Sequence, residues 1–213
     1  MRTTRLRISL LAVCLFTLLS FTVKAQNDDK QWFGYMDIYA GPRIGVVGSN
    51  MTKLNGDFLF GPSIGGFFEV HFTDKLAASF DLNYTYEGTN NAKCSSFSNG
   101  PEGTTDISMH MLNSDYRCRY YLMRNFNVAA GVHLMRVLKA YGKIDGKSEK
   151  LHKYIRRGNI SIPFSAEYNL GPWAIEASYY LPLRKWDRKN ENILDEACTN
   201  KFSVTLAYKL QVF

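Results

Sequence analysis

Residues 78–88 read "ASFDLNYTYEG". Every second side chain is apolar or aromatic: Ala78, Phe80, Leu82, Tyr84 and Tyr86. Those between are polar or acidic: Ser79, Asp81, Asn83, Thr85 and Glu87. A strict period of two does not fit a helix; it describes a β-strand with two chemically opposed faces. The string alone does not say which face is inside. A soluble barrel would bury the aromatics. A membrane barrel would turn them to lipid and enclose the acids.

The same alternation recurs over 36–46, 60–72, 112–122, 126–141, 159–170, 173–183 and 201–212, and the quoted strand extends back to 76. That makes eight strands. Their connections alternate in length. Thr73-Asp74-Lys75, Met123-Arg124-Asn125 and Gly171-Pro172 are tight. Residues 47–58, 89–105, 142–158 and 184–200 are long and polar. In an up-and-down barrel, alternate connections lie at opposite ends. All short turns, with both termini, therefore fall at one end and all long loops at the other. Short periplasmic turns and long extracellular loops characterise bacterial outer-membrane barrels. A soluble lipocalin-like binding barrel in the periplasm can also have eight strands, but does not need this asymmetry.

Volume decides the orientation. An eight-stranded barrel is only wide enough for side chains to fill. The apolar faces carry Phe68, Phe80, Tyr84, Tyr86, Tyr116, Tyr120, Phe126, Phe164, Tyr168, Trp173, Tyr179, Phe202 and Tyr208, too much bulk for so narrow a lumen. The opposite faces carry Gly41, Gly45, Ser63, Gly65, Ser79, Asn83, Gly131, Ser161, Ser165, Ser178, Ser203 and Ala207, which leave room for longer charged residues. The central apolar faces also lack charge, as a lipid-facing surface must, since Lys or Arg at the bilayer midplane costs about 2–4 kcal/mol. Arg136 is the nearest exception, close to the long-loop end, where it can snorkel. Phe72, Tyr120, Phe126, Tyr168, Trp173 and Tyr208 form an expected aromatic girdle at the short-turn end. The fold expected is all-β: an eight-stranded antiparallel up-and-down transmembrane β-barrel, preceded by a cleaved signal peptide.

The signal peptide is read from residues 1–25. Arg2, Arg5 and Arg7 are followed by a mostly apolar run over 8–23, and Val23-Lys24-Ala25 has spacing suited to cleavage before Gln26. Residues 26–34 read as a short lead-in and 35–213 as the barrel. Removing the segment's four basic residues from the chain's 26 leaves 22 against 19 acids, a net of +3. The apparent basicity is largely an export signal, so nucleic acid is not an expected partner. No Cys-x-x-Cys spacing occurs, the four histidines are scattered, and neither a metal nor a cofactor is expected.

The glycine-rich "AGPRIGVVGSN" is followed by "GPSIGGFFEVHFTDKLAASFDLNYTYEG" and "LNSDYRCRYYLMRNFNVAAGVHL". "ISIPFSAEYNLGPWAIEASYYLPL" and a closing "VTLAYKL" complete the set. In these features the chain resembles the PorT-like small outer-membrane β-barrel proteins of the Bacteroidetes. The likeness is one of strands and turns across the whole mature chain. It implies residence in the cell outer membrane, insertion by the barrel-assembly machinery and, as an alternative function, a part in type 9 protein secretion. One departure is the C-terminus, where Tyr208 and Leu210 keep the outward parity and Phe213 does not.

The inward face carries the chemistry. Its expected charge network is Asp37, Arg43, Glu69, Asp81, Asp115, Arg117, Arg119, Glu167, Glu176 and Lys209, with Glu87 on the same parity. Asp115-x-Arg117-x-Arg119 sets three charges on one side of one strand. The planar arginine fork suits several carboxylate contacts in a confined space. The network reads as a plug; a path for ions or small solutes is the sharper alternative. Ser108-x-His110 is the one Ser/His pair sharing a strand face, without an evident acid to orient the histidine, so no enzyme is expected. The role expected is structural or surface interaction through the long loops, by a monomer. Lys147, Lys150, Lys153, Arg156 and Arg157 in a basic loop suggest contact with outer-membrane lipid and lipopolysaccharide. Cys94 and Cys198 lie in long loops at one end, and a disulfide between them is conceivable. Cys118 is expected to face lipid as an unpaired small hydrophobe.

Overall fold

The computed structural model describes residues 32–52, 56–93, 104–144, 147–150, 157–183 and 198–212. Residues 1–25, where a signal peptide is expected, and Cys94, Lys153 and Arg156 lie outside the described residues. Ten β-segments follow: β1 Ile38–Met51, β2 Asp57–His71, β3 Leu76–Lys93, β4 Thr104–Met123, β5 Phe126–Ile144, β6 Lys147–Lys150, β7 Gly158–Leu170, β8 Trp173–Pro182, β9 Thr199–Tyr208 and β10 Leu210–Gln211. β1 to β5 and β7 to β9 are the eight staves, each antiparallel to the next. β1 pairs back onto β9, from Arg43 opposite Ala207 to Met51 opposite Thr199, and the sheet closes. Closure matters because an open edge would leave unpaired backbone groups in hydrocarbon. The barrel unit begins at Phe33.

Local chemistry explains the corners. In the β7–β8 turn, Leu170 pairs with Trp173 across Gly171-Pro172, and Gly171 has φ +62°, the left-handed region that glycine enters without penalty. In the β2–β3 turn the Thr73 hydroxyl accepts the Leu76 N–H at 3.0 Å. The last stave breaks at Lys209 although its register with β1 is unchanged on either side. The gap faces Pro42, which has no N–H to give the ladder. At Gly131 the strands curl so tightly that a Cβ would sit 1.9 Å from the Tyr116 carbonyl oxygen.

The staves run beyond their expected ends on the long-loop side: β3 reaches Lys93 rather than 88, and β4 starts at Thr104 rather than 112. Backbone pairing continues where the simple alternation stops. Three irregularities mark this region, the first a register shift of β2 against β3 between Phe58 and Ser63. Asn91, with φ +52°, sits in a β3 bulge, and β5 carries a bulge opposite His110–Met111.

The orientation is the inverted one. In the opening stretch, Leu82 is 45 % exposed, whereas Asp81 is 0 % exposed. Exposed Phe68, Tyr116, Phe164, Tyr168, Trp173, Ile175 and Val204 form the outer surface. A lipocalin-like barrel would hold these side chains inside. Cys118 is exposed on this surface and unpaired.

Candidate functional site: the polar lumen

The lumen is layered along the barrel axis. At the short-turn end lies an aromatic floor. The Phe33 ring stacks on His71 at 4.1 Å between centroids and lies 4.8 Å from Tyr121; Tyr39 meets His71 edge-on at 5.4 Å.

Above it sits a dense ionic layer drawn from seven of the eight staves. Glu176 on β8 is its hub. One carboxylate oxygen of Glu176 accepts Arg43 at 2.7 Å and Arg117 at 2.6 Å; the other accepts Arg119 at 2.7 Å. Arg119 also donates to Glu167 at 2.9 Å, to Ser79 at 2.9 Å and to Asn127 of β5 at 3.1 Å. Lys209 bridges Glu167 at 2.6 Å and Glu69 at 3.2 Å. Asp81 contacts Arg117 and lies 3.5 Å from Arg43, and the Tyr121 hydroxyl donates to Glu69. The four carboxylates Glu69, Asp81, Glu167 and Glu176 thus face four bases. Formal neutrality is what lets such a cluster persist out of water, since a lone buried charge costs several kcal/mol (about 3–5 when one partner is deleted).

A second polar group lies nearer the long loops. Lys201 donates to Glu87 at 2.6 Å, where Thr85 and Asn113 also donate, at 2.5 and 2.9 Å. His133 Nδ1 lies 2.5 Å from Asp115, and its Nε2 lies 3.4 Å from the Lys201 ammonium. An ammonium only donates, so Nε2 accepts and Nδ1–H donates to Asp115. The Tyr180 ring packs beneath both, 4.5 Å from Lys201 Nζ and 4.5 Å from the His133 ring. The unfilled space between the two polar layers is about 10 Å³, room for about one water molecule.

Inward apolar side chains of β1, β4 and β5 flank this layer: Met51, Ile107, Met109, Met111, Val137 and Ala140 are all buried, with Met109 and Met111 opposite Glu87 and Thr85. Outside, Asp57 and Asp106 are exposed at the same end.

Most of the residues expected to form the charge network meet there. Two differ. Asp37 lies ahead of β1, where its carboxylate accepts the Gly34 N–H at 2.6 Å and fixes the lead-in turn. Asp115 pairs with His133, not with the arginines two and four residues on. Lys201, His133, Tyr121, Tyr180 and His71 were overlooked as members; all share the inward parity of named residues, and parity alone would have found them. Cys198 is half-buried and unpaired among the described residues, which do not include Cys94. Ser108 and His110 face outward, and the His110 ring nitrogen Nδ1 lies 2.5 Å from the Tyr84 hydroxyl rather than from a carboxylate. Of the basic-loop residues, Arg157 is exposed beside β7, and Lys147 and Lys150 lie on β6, paired with Ile144 and Tyr141.

No protein-family model matches the chain, and no curated protein matches it. Solved structures do. The Neisserial surface protein A aligns with a TM-score of 0.51 at 12 % identity, over 84 % of this chain and 100 % of that one. The attachment invasion locus protein of Yersinia pestis aligns with a TM-score of 0.49 at 14 % identity, over 82 % and 100 %. The former likeness establishes the fold. Fold and inverted surface together define the class, an integral outer-membrane β-barrel protein.

Proposed function

We propose that this barrel is a closed membrane-embedded scaffold whose work is done at its surface, through the long loops and the outer wall, and not a conduit. One observation carries the reading: ionic and aromatic side chains cross the lumen in layers, and the pocket between its two polar layers has room for about 10 Å³. A hydrated ion needs a continuous bore wider than that space. On this reading the protein is a non-catalytic monomer, exported by its N-terminal segment and inserted by the barrel-assembly machinery. Outer-leaflet lipid and lipopolysaccharide are its immediate partners.

Purified, refolded protein in planar bilayers tests the point. Insertion without conductance steps is expected, with insertion verified by protease protection. Stable unitary currents from inserted protein would overturn the closed-scaffold reading.

A further inference from the structure

The β4–β5 ladder slips twice, at Tyr121–Met123 beside the tight turn and again toward the long loops. His110 pairs with Lys139 and Met111 pairs with Val137, so Leu138 is the extra residue. Up to that point the odd-numbered residues of β5 face inward: His133, Met135 and Val137 are buried. Unbroken alternation would send Lys139 into the lumen. The bulge moves it to the outer wall instead, where Leu138 and Lys139 are consecutive and both exposed. Re-aiming a side chain is a common use of a bulge. Arg136, opposite Leu112, is exposed on the same wall. His110 completes the patch, with Tyr84, Tyr86 and Tyr141 around it at 6.0, 5.2 and 6.3 Å between ring centroids. Among the described residues, neither Lys139 nor Arg136 pairs with a carboxylate. Asp106, on the same face of β4, is occupied by the Asn91 N–H at 3.0 Å.

The patch has a definite height. A strand tilted by about 40° climbs roughly 2.6 Å per residue, so an apolar belt of about 25 Å spans about ten residues. Ten residues separate Tyr120, in the girdle at the short-turn end, from His110. That span puts His110, Lys139 and Arg136 where hydrocarbon gives way to headgroups. Below them on the same wall, Leu112, Leu134 and Val132 are exposed and apolar.

We propose that Lys139, Arg136 and His110 form a lateral site on the outer wall for the phosphate of an outer-leaflet glycolipid. The acyl chains lie along the apolar wall beneath, and the tyrosines frame the headgroup. The chemistry matches: Arg offers phosphate a planar fork and Lys a compact charge. The proposal rests on the membrane reading above and moves the lipid contact from the basic loop sequence onto the barrel wall.

Native mass spectrometry of the full barrel in detergent tests it with three probes: phosphorylated lipid A, the same lipid treated with phosphatase, and inorganic phosphate. Preferential retention of phosphorylated lipid A is expected. Combining Lys139→Gln with Arg136→Gln should lower that retention roughly thirtyfold, at about 1 kcal/mol for each of two basic residues near a lipid surface. Lys139→Arg should preserve it. Equal retention of the two lipids by the unaltered protein overturns the proposal, whatever the variants do. So does displacement of the lipid by millimolar inorganic phosphate, which would mark a free-anion site. A protein that enters no lipid vesicle, read by the absence of a heat-modifiable gel shift, overturns the membrane reading as well and is a distinct result.

Discussion

At the scale of the residue, position in the alternation decides the cost of a change. Leu82 faces outward at mid-belt, so Leu82→Arg should destabilise the barrel by about 2–4 kcal/mol, while Leu82→Phe should be near neutral. Urea titration of folding into vesicles measures both; equal midpoints would mean that this face does not meet lipid. The neighbouring Asn83 faces the lumen, which has too little spare volume for an arginine, so burial there is no licence for bulk. Inside, partners are shared. Arg117→Ala removes one cation from Asp81 and Glu176, but Arg43 still lies 3.5 Å and 2.7 Å from those two. The two arginines should therefore couple. The double variant should lose more than the sum of the single losses, by roughly 0.5–3 kcal/mol. Additive losses in a double-mutant cycle would show that the two act independently.

At the scale of the element, glycine and bulges shape the staves. Gly131 lets β5 approach β4 where any Cβ would strike the Tyr116 carbonyl. Gly131→Ala should cost about 1–3 kcal/mol, as overpacking a tight contact does. Unchanged thermal unfolding in detergent would show that the strand yields freely there. The eight strands and their three tight turns were legible because a period of two and turn residues are local signals. The long-loop ends of the strands were not. Toward the long loops the inward face of β4 becomes apolar, at Ile107, Met109 and Met111, and its outward face polar, so the inside-out pattern no longer flags that strand. The β5 bulge was equally hidden, because its evidence is the partner strand's register and not its own sequence.

At the scale of the whole molecule, closure and charge balance act together. The ionic layer is buried, and buried pairs are screened far less than exposed ones. Raising salt from about 0.05 to 0.5 M should therefore leave the unfolding midpoint nearly unchanged, although the same range weakens surface ion pairs. A steep loss of stability with salt would place the network in contact with bulk solvent.

The sequence by itself determined the strand count, the asymmetry of the ends and which face meets lipid, because each follows from alternation, turn chemistry and side-chain volume summed along the chain. The tertiary structure alone decided who pairs with whom. Asp115 reaches His133 and not its own strand's arginines, Asp37 leaves the lumen for a turn, and Lys139 crosses to the outer wall. Each outcome depends on which residue lies opposite on a neighbouring stave, and register is a property of two strands, never of one.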